Sequence, residues 1–200
     1  MKKFLIAVLM SVFMLLPSQA KTIKGEVSLN WDNLTQTEIT EDINKVRSQI
    51  FDNNEISDKD KKEFKNTIKP FKKDTDRNTN LGLAASGGGE LSDRIVVPFF
   101  YKKYLYAYGI IYKNDLKTCY YYNALGWLFT VENFEKNYGE FPVTSYQYKT
   151  NGVLIAAVHN ISDVDQYMYK KDGSFIGRWF EENYYNGSGK VVMTRTLPKK

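Results

Sequence analysis

The sequence contains a single histidine, His159, and two carboxylates, Asp163 and Asp165, follow it closely. A histidine paired with a carboxylate is the usual general base of a hydrolase, so this segment is the chain's clearest candidate for catalysis. The Gly-x-Ser-x-Gly turn that presents an esterase serine is absent, because Ala84 stands where its first glycine would be. A hydrolase or toxin-like enzyme using His159 with a nearby carboxylate is therefore kept as the alternative hypothesis.

The other residues that could bind a metal or act as nucleophiles are isolated. Cys119 is the only cysteine, so the chain can form no intramolecular disulfide and no cysteine–histidine zinc set. Glu181 and Glu182 are adjacent, and on a strand they would point to opposite faces. We therefore expect no catalytic residue, no metal site and no cofactor.

The first twenty residues predict a cleavable secretory signal peptide. Lys2 and Lys3 precede an apolar run over residues 4–16, and Ser18 and Ala20 supply the small residues that signal peptidase requires. The run falls short of the roughly 20 apolar residues that a membrane span needs, which leaves an uncleaved anchor as the less favoured alternative. The sequence predicts a secreted or periplasmic protein that begins near Lys21 and has no later membrane span.

The charge of the chain is mild. Cleavage after residue 20 removes Lys2 and Lys3 and lowers the formal net charge from +5 to +3. The basic residues between 59 and 73 alternate with acidic ones, as on the solvated face of a helix. We expect no nucleic-acid partner.

A shift in composition divides the chain. All fifteen tyrosines lie between Tyr101 and Tyr185, whereas residues 21–78 are rich in charged and amide side chains. Aromatic and β-branched residues favour strands, and Ser86-Gly87-Gly88-Gly89 is typical of a loop. We predict a helical segment at 21–78, a glycine-rich linker at 79–94 and a tyrosine-rich antiparallel β domain at 95–200. The predicted fold class is α+β, a small N-terminal helical segment followed by a hairpin meander.

Two apolar stripes predict two short helices in the first segment. The first comprises Ile39, Ile43, Val46 and Ile50, with Thr40 as N-cap; the second comprises Phe64, Ile68 and Phe71, with Ser57 as N-cap and Pro70 at its end. So few apolar positions cannot form a core alone. The helices therefore either fold back on the β domain or present a face to a partner subunit.

A short motif recurs in the tyrosine-rich half: Tyr, three residues, Gly, one residue, then an apolar residue. Its four copies are Tyr122–Gly126–Leu128, Tyr148–Gly152–Leu154, Tyr169–Gly173–Phe175 and Tyr185–Gly189–Val191, and in the first three another tyrosine lies two positions earlier. Tyr-x-Tyr places two rings on one face of a strand. Asn151-Gly152 and Asp172-Gly173 predict type I′ turns. Successive hairpins would give a sheet of about seven to nine strands.

These residues resemble the YD repeats of RHS-type proteins and the MORN-type repeats of some bacterial antitoxin-like proteins. The resemblance covers roughly residues 120–192. It implies a β-hairpin scaffold that serves binding or structure and carries no catalytic residues. The copies are few and unevenly spaced, and Lys170 follows Tyr169 where a YD unit would have Asp. A toxin-encapsulating shell, which needs many more repeats, is not expected.

Aromatic residues are the remaining candidates for a binding surface. We selected Tyr121, Trp127, Trp179 and Tyr184, since such rings stack on sugars and anchor protein interfaces. The leading hypothesis is an exported, non-enzymatic protein whose β-hairpin module contacts a cell-envelope glycan or protein. The sequence does not determine the oligomeric state.

Overall fold

The computed structural model describes residues 31–52, 54 and 56–195, and the predicted signal peptide lies outside them. The α+β prediction is confirmed: a short helical segment precedes an antiparallel meander. The helical elements are α1 (Gln36–Phe51), α2 (Lys61–Thr67), a 3-10 turn (Lys69–Phe71) and α3 (Arg77–Ala85). None of the helices in these described ranges is long and apolar enough to span a bilayer.

The sheet has eleven strands, and each pairs antiparallel with its neighbours in the sequence. They are β1 (Gly89–Glu90), β2 (Arg94–Tyr101), β3 (Tyr104–Tyr112), β4 (Asp115–Asn123), β5 (Leu128–Phe134), β6 (Val143–Lys149), β7 (Leu154–Asn160), β8 (Asp165–Tyr169), β9 (Phe175–Phe180), β10 (Asn183–Tyr185) and β11 (Val191–Thr194). The number exceeds the expected seven to nine. Strands as short as β1 and β10 are too brief to show a period-two pattern in the sequence.

Helix α1 begins earlier than predicted. Its N-cap is Thr35, which forms a reciprocal capping box with Glu38, and Thr40 is buried inside the helix. The capping box satisfies backbone N–H groups at the helix start, and this explains why the helix begins there. The predicted stripe of four aliphatic residues is confirmed, because all four are buried.

Helices α2 and α3 also differ from expectation. Asp60 and not Ser57 caps α2, accepting hydrogen bonds from the N–H groups of Lys62 and Glu63. Pro70 lies within the 3-10 turn that follows. Helix α3, together with β1, occupies much of the range predicted as a linker. It buries only two residues, so it has no apolar stripe by which the sequence could reveal it.

The helical segment packs on one face of the sheet. The buried stripe of α1 shares a core with Tyr167, Tyr169 and Phe175, and the two later helices share another with tyrosines of β3, β4 and β6. Tyr-x-Tyr pairs do place both rings on this same face, as predicted. Of the two fates left open for the helices, the structure therefore shows packing against their own sheet.

The repeat tyrosines attach the helical segment to the sheet by hydrogen bonds. Tyr122 donates its hydroxyl to the Phe71 carbonyl at 2.9 Å, and Tyr169 donates to the Ile43 carbonyl at 2.7 Å. The hydroxyl of Tyr185 reaches Asp32 at 2.6 Å. Each motif tyrosine thus combines a buried ring with a polar contact, apart from Tyr148, whose ring lies against Phe64 and Lys59.

The repeat glycines form a second set of contacts with the helical segment. The carbonyl of Gly126 accepts a hydrogen bond from the Asp74 N–H at 2.8 Å, that of Gly152 from the Lys59 N–H at 2.9 Å, and that of Gly173 from Arg47 Nε at 3.1 Å. The strand directions place all four motif turns along one end of the sheet. The motif therefore specifies a surface on which the N-terminal segment docks.

The motif turns are not the predicted type I′. In the second copy, Lys149 accepts a hydrogen bond from Gly152 N–H and donates its own N–H to the Val153 carbonyl, so the loop contains three residues. Only the glycine has a positive φ, of 86°, whereas a type I′ turn needs two such residues. Asn151 instead accepts the Val153 N–H with its side chain at 3.2 Å. That contact stabilises the longer loop.

Candidate functional site

The face of the sheet opposite the helices borders a partly open cavity of about 870 Å³. Strands from β2 to β9 and Arg195, the residue after β11, all contribute to its wall, so the sheet must curve around it. Apolar and aromatic side chains predominate, among them Val97, Phe99, Ile111, Phe134, Val158 and Met168. Ligand pockets in proteins have volumes of roughly 300–1,000 Å³ and mainly apolar walls, so the cavity has the size and character of such a site.

The repeat motif itself builds part of this wall. In each copy the tyrosine pairs with the apolar residue six positions later, and the residue after that is left unpaired as a β-bulge. In the first three copies the bulged residues are Phe129, Ile155 and Ile176, and all three line the cavity. Tyr106 has the same role in the hairpin of β2 and β3. In these copies, therefore, the motif tyrosine packs against the helices and the bulged residue lines the cavity.

A buried carboxylate lies in the middle of the cavity wall. Glu132 is 3% exposed and accepts hydrogen bonds from the hydroxyls of Tyr121 and Ser145 and from Gln147 Nε2. Burial raises the pKa of Glu132, while the hydrogen bonds from Ser145, Tyr121 and Gln147 lower it. Asn160 extends this polar row by donating to the Ser145 hydroxyl at 2.8 Å.

Next to Glu132 lies a hydroxyl without a partner. Thr130 is 2% exposed, lines the cavity, and its Oγ1 makes no hydrogen bond within the described part of the chain. It pairs across the strands with Lys149, which also lines the cavity. Directly paired residues present their side chains to the same face of a sheet. The wall therefore offers an unused hydroxyl beside a lysine.

Another part of the wall is formed by an arginine and aromatic rings. The Arg195 guanidinium lies 4.6 Å from the ring centre of Trp179, and it donates to the carbonyls of Glu181 at 3.0 Å and Val164 at 3.2 Å. Burial lowers the pKa of Arg195 to about 10. Tyr106, on the facing wall, is 47% exposed, yet burial raises its pKa. The exposure and the raised pKa of Tyr106 are both explained if its ring lies inside the cavity, accessible from the cavity but surrounded by protein.

The four aromatic residues predicted as a binding surface do not lie together. Tyr121 and Trp179 line the cavity, and Tyr184 is buried with its ring 5.0 Å from that of Trp179. Trp127 is 51% exposed in a motif turn, where the Lys73 ammonium lies 5.5 Å from its ring centre. Two of the four thus belong to one concave site, and there is no single flat aromatic surface.

The predicted turn residues lie at one end of the sheet, where the motif turns meet the helical segment. Asp172 accepts the Ser174 N–H at 2.9 Å in the turn that contains Gly173. Gly152 occupies the corresponding corner of the preceding motif turn, and Asn151 beside it also lines the cavity. Their observed roles are to shape the turns and, through the glycine carbonyls, to dock the helices.

The candidate catalytic residues are dispersed. His159 lies on β7 outside the cavity wall, and its Nδ1 is 3.2 Å from the Thr144 hydroxyl. Burial lowers the pKa of His159. Asp165 is held by Arg178, and Asp163 lies on the cavity wall. Within residues 31–195, as far as they are described, no three His, Cys, Asp or Glu side chains are grouped to hold a metal ion.

Sequence reasoning missed Glu132 and Thr130. On β5 both residues flank Val131, which faces the helices. When polar and apolar residues alternate along a strand, the polar residues are normally expected to face solvent. Their burial depends on the curvature of the sheet, for which the sequence carried no direct signal. The bulged residues could have been identified from the sequence, because each lies seven positions after its motif tyrosine, even though the intervals between the copies vary.

Comparison of the chain with protein-family models, with curated proteins and with solved structures finds no significant match.

Proposed function

We propose that this chain is an exported, non-enzymatic binding protein that holds a small, largely apolar molecule in the cavity of its sheet. The observation that carries the proposal is the cavity itself: about 870 Å³, lined mainly by apolar side chains, with a few polar groups on its wall. A concave, mainly apolar surface of this size is unfavourable in contact with water, because apolar area exposed to water costs free energy. Space of this kind is retained where a ligand occupies it.

The construction of the sheet supports the proposal. The bulges widen the sheet on one side and add apolar residues to the wall, and this arrangement recurs at Tyr106, Phe129, Ile155 and Ile176. Bulges are features that re-aim side chains and bend strands, often next to binding sites. Four bulges line the same cavity, and this regularity favours a binding site over an accidental gap in the packing.

The chemistry of the wall favours a small apolar ligand over a glycan. Glycans need several hydrogen-bonding groups along their length, whereas apolar and aromatic side chains make up most of this wall. A cell-envelope glycan or protein as partner stays a prediction from the aromatic composition. Export likewise stays a prediction, drawn from the signal-peptide pattern of residues 1–20.

Binding of a neutral, environment-sensitive dye such as Nile red tests the proposal. The wild-type chain should bind it saturably, and Met168→Trp, which places a large ring in the cavity, should weaken binding by about tenfold or more. Leu125→Trp is the matched control, because Leu125 is exposed in a motif turn outside the cavity wall.

Ile155→Trp provides a second blocking variant if Met168→Trp does not fold, since a bulged position is free of a cross-strand partner. Circular dichroism should show the same strand content in all variants used. Absence of binding by the wild-type chain, or equal binding by the blocked and control variants, would overturn the proposal.

A further inference from the structure

The cavity wall contains three cations, and one of them, Lys149, has no ion-pair partner among the described residues. Among the described lysines, ion pairs are formed by Lys113 and Lys171, so Lys149 on the cavity wall keeps a free ammonium group, whereas the charge of Lys170 acts on the nearby Asp172 carboxylate. Arg195 adds a third cation, although its guanidinium already donates to two carbonyls. Lys149 is exposed, so its ammonium lies at the edge of the apolar space, where it can attract the anionic end of a ligand whose apolar part lies deeper.

The two carboxylates of the wall do not cancel these charges. Glu132 accepts three hydrogen bonds, from Tyr121, Ser145 and Gln147, and it forms no ion pair with Lys149. Asp163 is exposed and lies at the part of the wall that Arg195 occupies. Lys149 and the hydroxyl beside it are therefore available to a ligand.

Thr130 is the second, independent observation. A buried hydroxyl without a partner costs free energy, and native structures rarely leave one so. Thr130 Oγ1 is such a group, it faces the cavity, and its cross-strand neighbour is Lys149. A hydroxyl donor beside an ammonium is a suitable pair for the two oxygens of a carboxylate.

We infer that the ligand is an amphiphilic monocarboxylic acid, with its carboxylate bound by Thr130 and Lys149 and its apolar chain in the cavity. The chain contacts the wall formed by Cys119, Phe134 and Val158. This inference rests on the proposed function, because it specifies the ligand of the same cavity. Its distinctive content is a preference for an anionic head group over a neutral or a cationic one.

Displacement of bound Nile red by three probes of equal chain length tests the inference: decanoate, decan-1-ol and decyltrimethylammonium, each below its micelle concentration at neutral pH. Decanoate should bind about tenfold to a hundredfold more tightly than decan-1-ol, the range expected of a hydrogen bond to a charged group. Each added methylene in a series of longer carboxylates should tighten binding by about fourfold.

Two variants locate the head group. Lys149→Gln should bring decanoate affinity down to that of decan-1-ol, and Thr130→Val should weaken decanoate binding while leaving decan-1-ol binding unchanged. Lys45→Gln, on the exposed side of α1, is the matched control for loss of one positive charge and should change nothing. Thr130→Val keeps side-chain volume and Lys149→Gln shortens the side chain slightly, and the folding of both variants is checked by circular dichroism and thermal melting.

The outcomes separate this inference from the proposed function. If decanoate and decan-1-ol bind equally, or if the cationic probe binds best, the carboxylate site is refuted and the proposed apolar binding function stands. If Lys45→Gln lowers decanoate affinity as much as Lys149→Gln does, the effect is general charge attraction and the site is refuted. If neither the dye nor any of the three probes binds, both proposals fail.

Discussion

Tyr122→Phe removes the hydroxyl that joins the first repeat to the helical segment and leaves the buried ring in place. That hydroxyl donates to the Phe71 carbonyl at 2.9 Å. In the third copy of the motif, Tyr169→Phe removes a similar bond to the Ile43 carbonyl at 2.7 Å. In the second copy the Tyr148 hydroxyl makes no hydrogen bond to the described residues, so Tyr148→Phe is a control built into the repeat.

The magnitudes follow from what each substitution leaves behind. The Phe71 carbonyl has no other donor in the described structure, so Tyr122→Phe should cost about 2 kcal/mol, within the range for a buried group left unpaired. Ile43 lies inside α1, and its carbonyl also accepts the hydrogen bond of the helix backbone. Tyr169→Phe should therefore cost only about 1 kcal/mol, and Tyr148→Phe less than about 0.5 kcal/mol.

Urea unfolding of the chain, followed by circular dichroism, measures these differences in free energy of unfolding. In thermal melts, a loss of 1 kcal/mol lowers the Tm of a chain of this size by about 2–4 °C. Tyr122→Phe should therefore lower the Tm by about 4–8 °C. If Tyr148→Phe destabilises the chain as much as Tyr122→Phe, the hydroxyl contacts do not hold the helices. The stability would then come from the rings alone, and the reasoning would be refuted.

Two further predictions concern other parts of the same interface. Gly152→Ala should cost more free energy of unfolding than Gly139→Ala: both glycines have positive φ, but a methyl group at position 152 would lie 3.1 Å from a backbone oxygen of the helical segment, and position 139 is open. Thermal melts of the two variants compare them, and equal losses would refute the docking role of the turn. Arg178→Met should cost about 3–5 kcal/mol at neutral pH, because it leaves Asp165 buried without its partner. Burial already raises the pKa of Asp165, so in this variant the folded state takes up a proton before the unfolded state as pH falls, and the loss should shrink as the pH is lowered from about 7; a loss independent of pH in urea titrations would contradict it.

The class of the fold and the face of each tyrosine could be predicted from the sequence. Period-two spacing requires both rings of Tyr120-x-Tyr122 to share a face, whatever the rest of the chain does. The four-residue stripe of α1 follows equally from helical periodicity. The start of α1 was predicted at Thr40, although Thr35-x-x-Glu38 matches the capping-box pattern and Thr40, followed three residues later by Ile43, does not.

The candidate site was largely beyond prediction from the sequence. Tyr121 and Trp179 were selected for their chemistry, yet the sequence contained nothing to indicate that they line one cavity. Glu132 and Thr130 were overlooked because a polar residue on an alternating strand is usually exposed. Here the helices cover one face of the sheet, and residues on the other face are buried because the sheet curves.

By itself, the sequence determined the local features of this protein: the hairpins, the turns that contain glycine, the Tyr-x-Tyr pairs on one strand face and the two apolar helix stripes. Those features depend on backbone sterics and on residues a few positions apart. The tertiary structure decided which groups meet over long separations, such as Tyr169 with Ile43 and Arg178 with Asp165 in the core. It alone also created the cavity, because the enclosed volume depends on the summed twist and bulging of many strands.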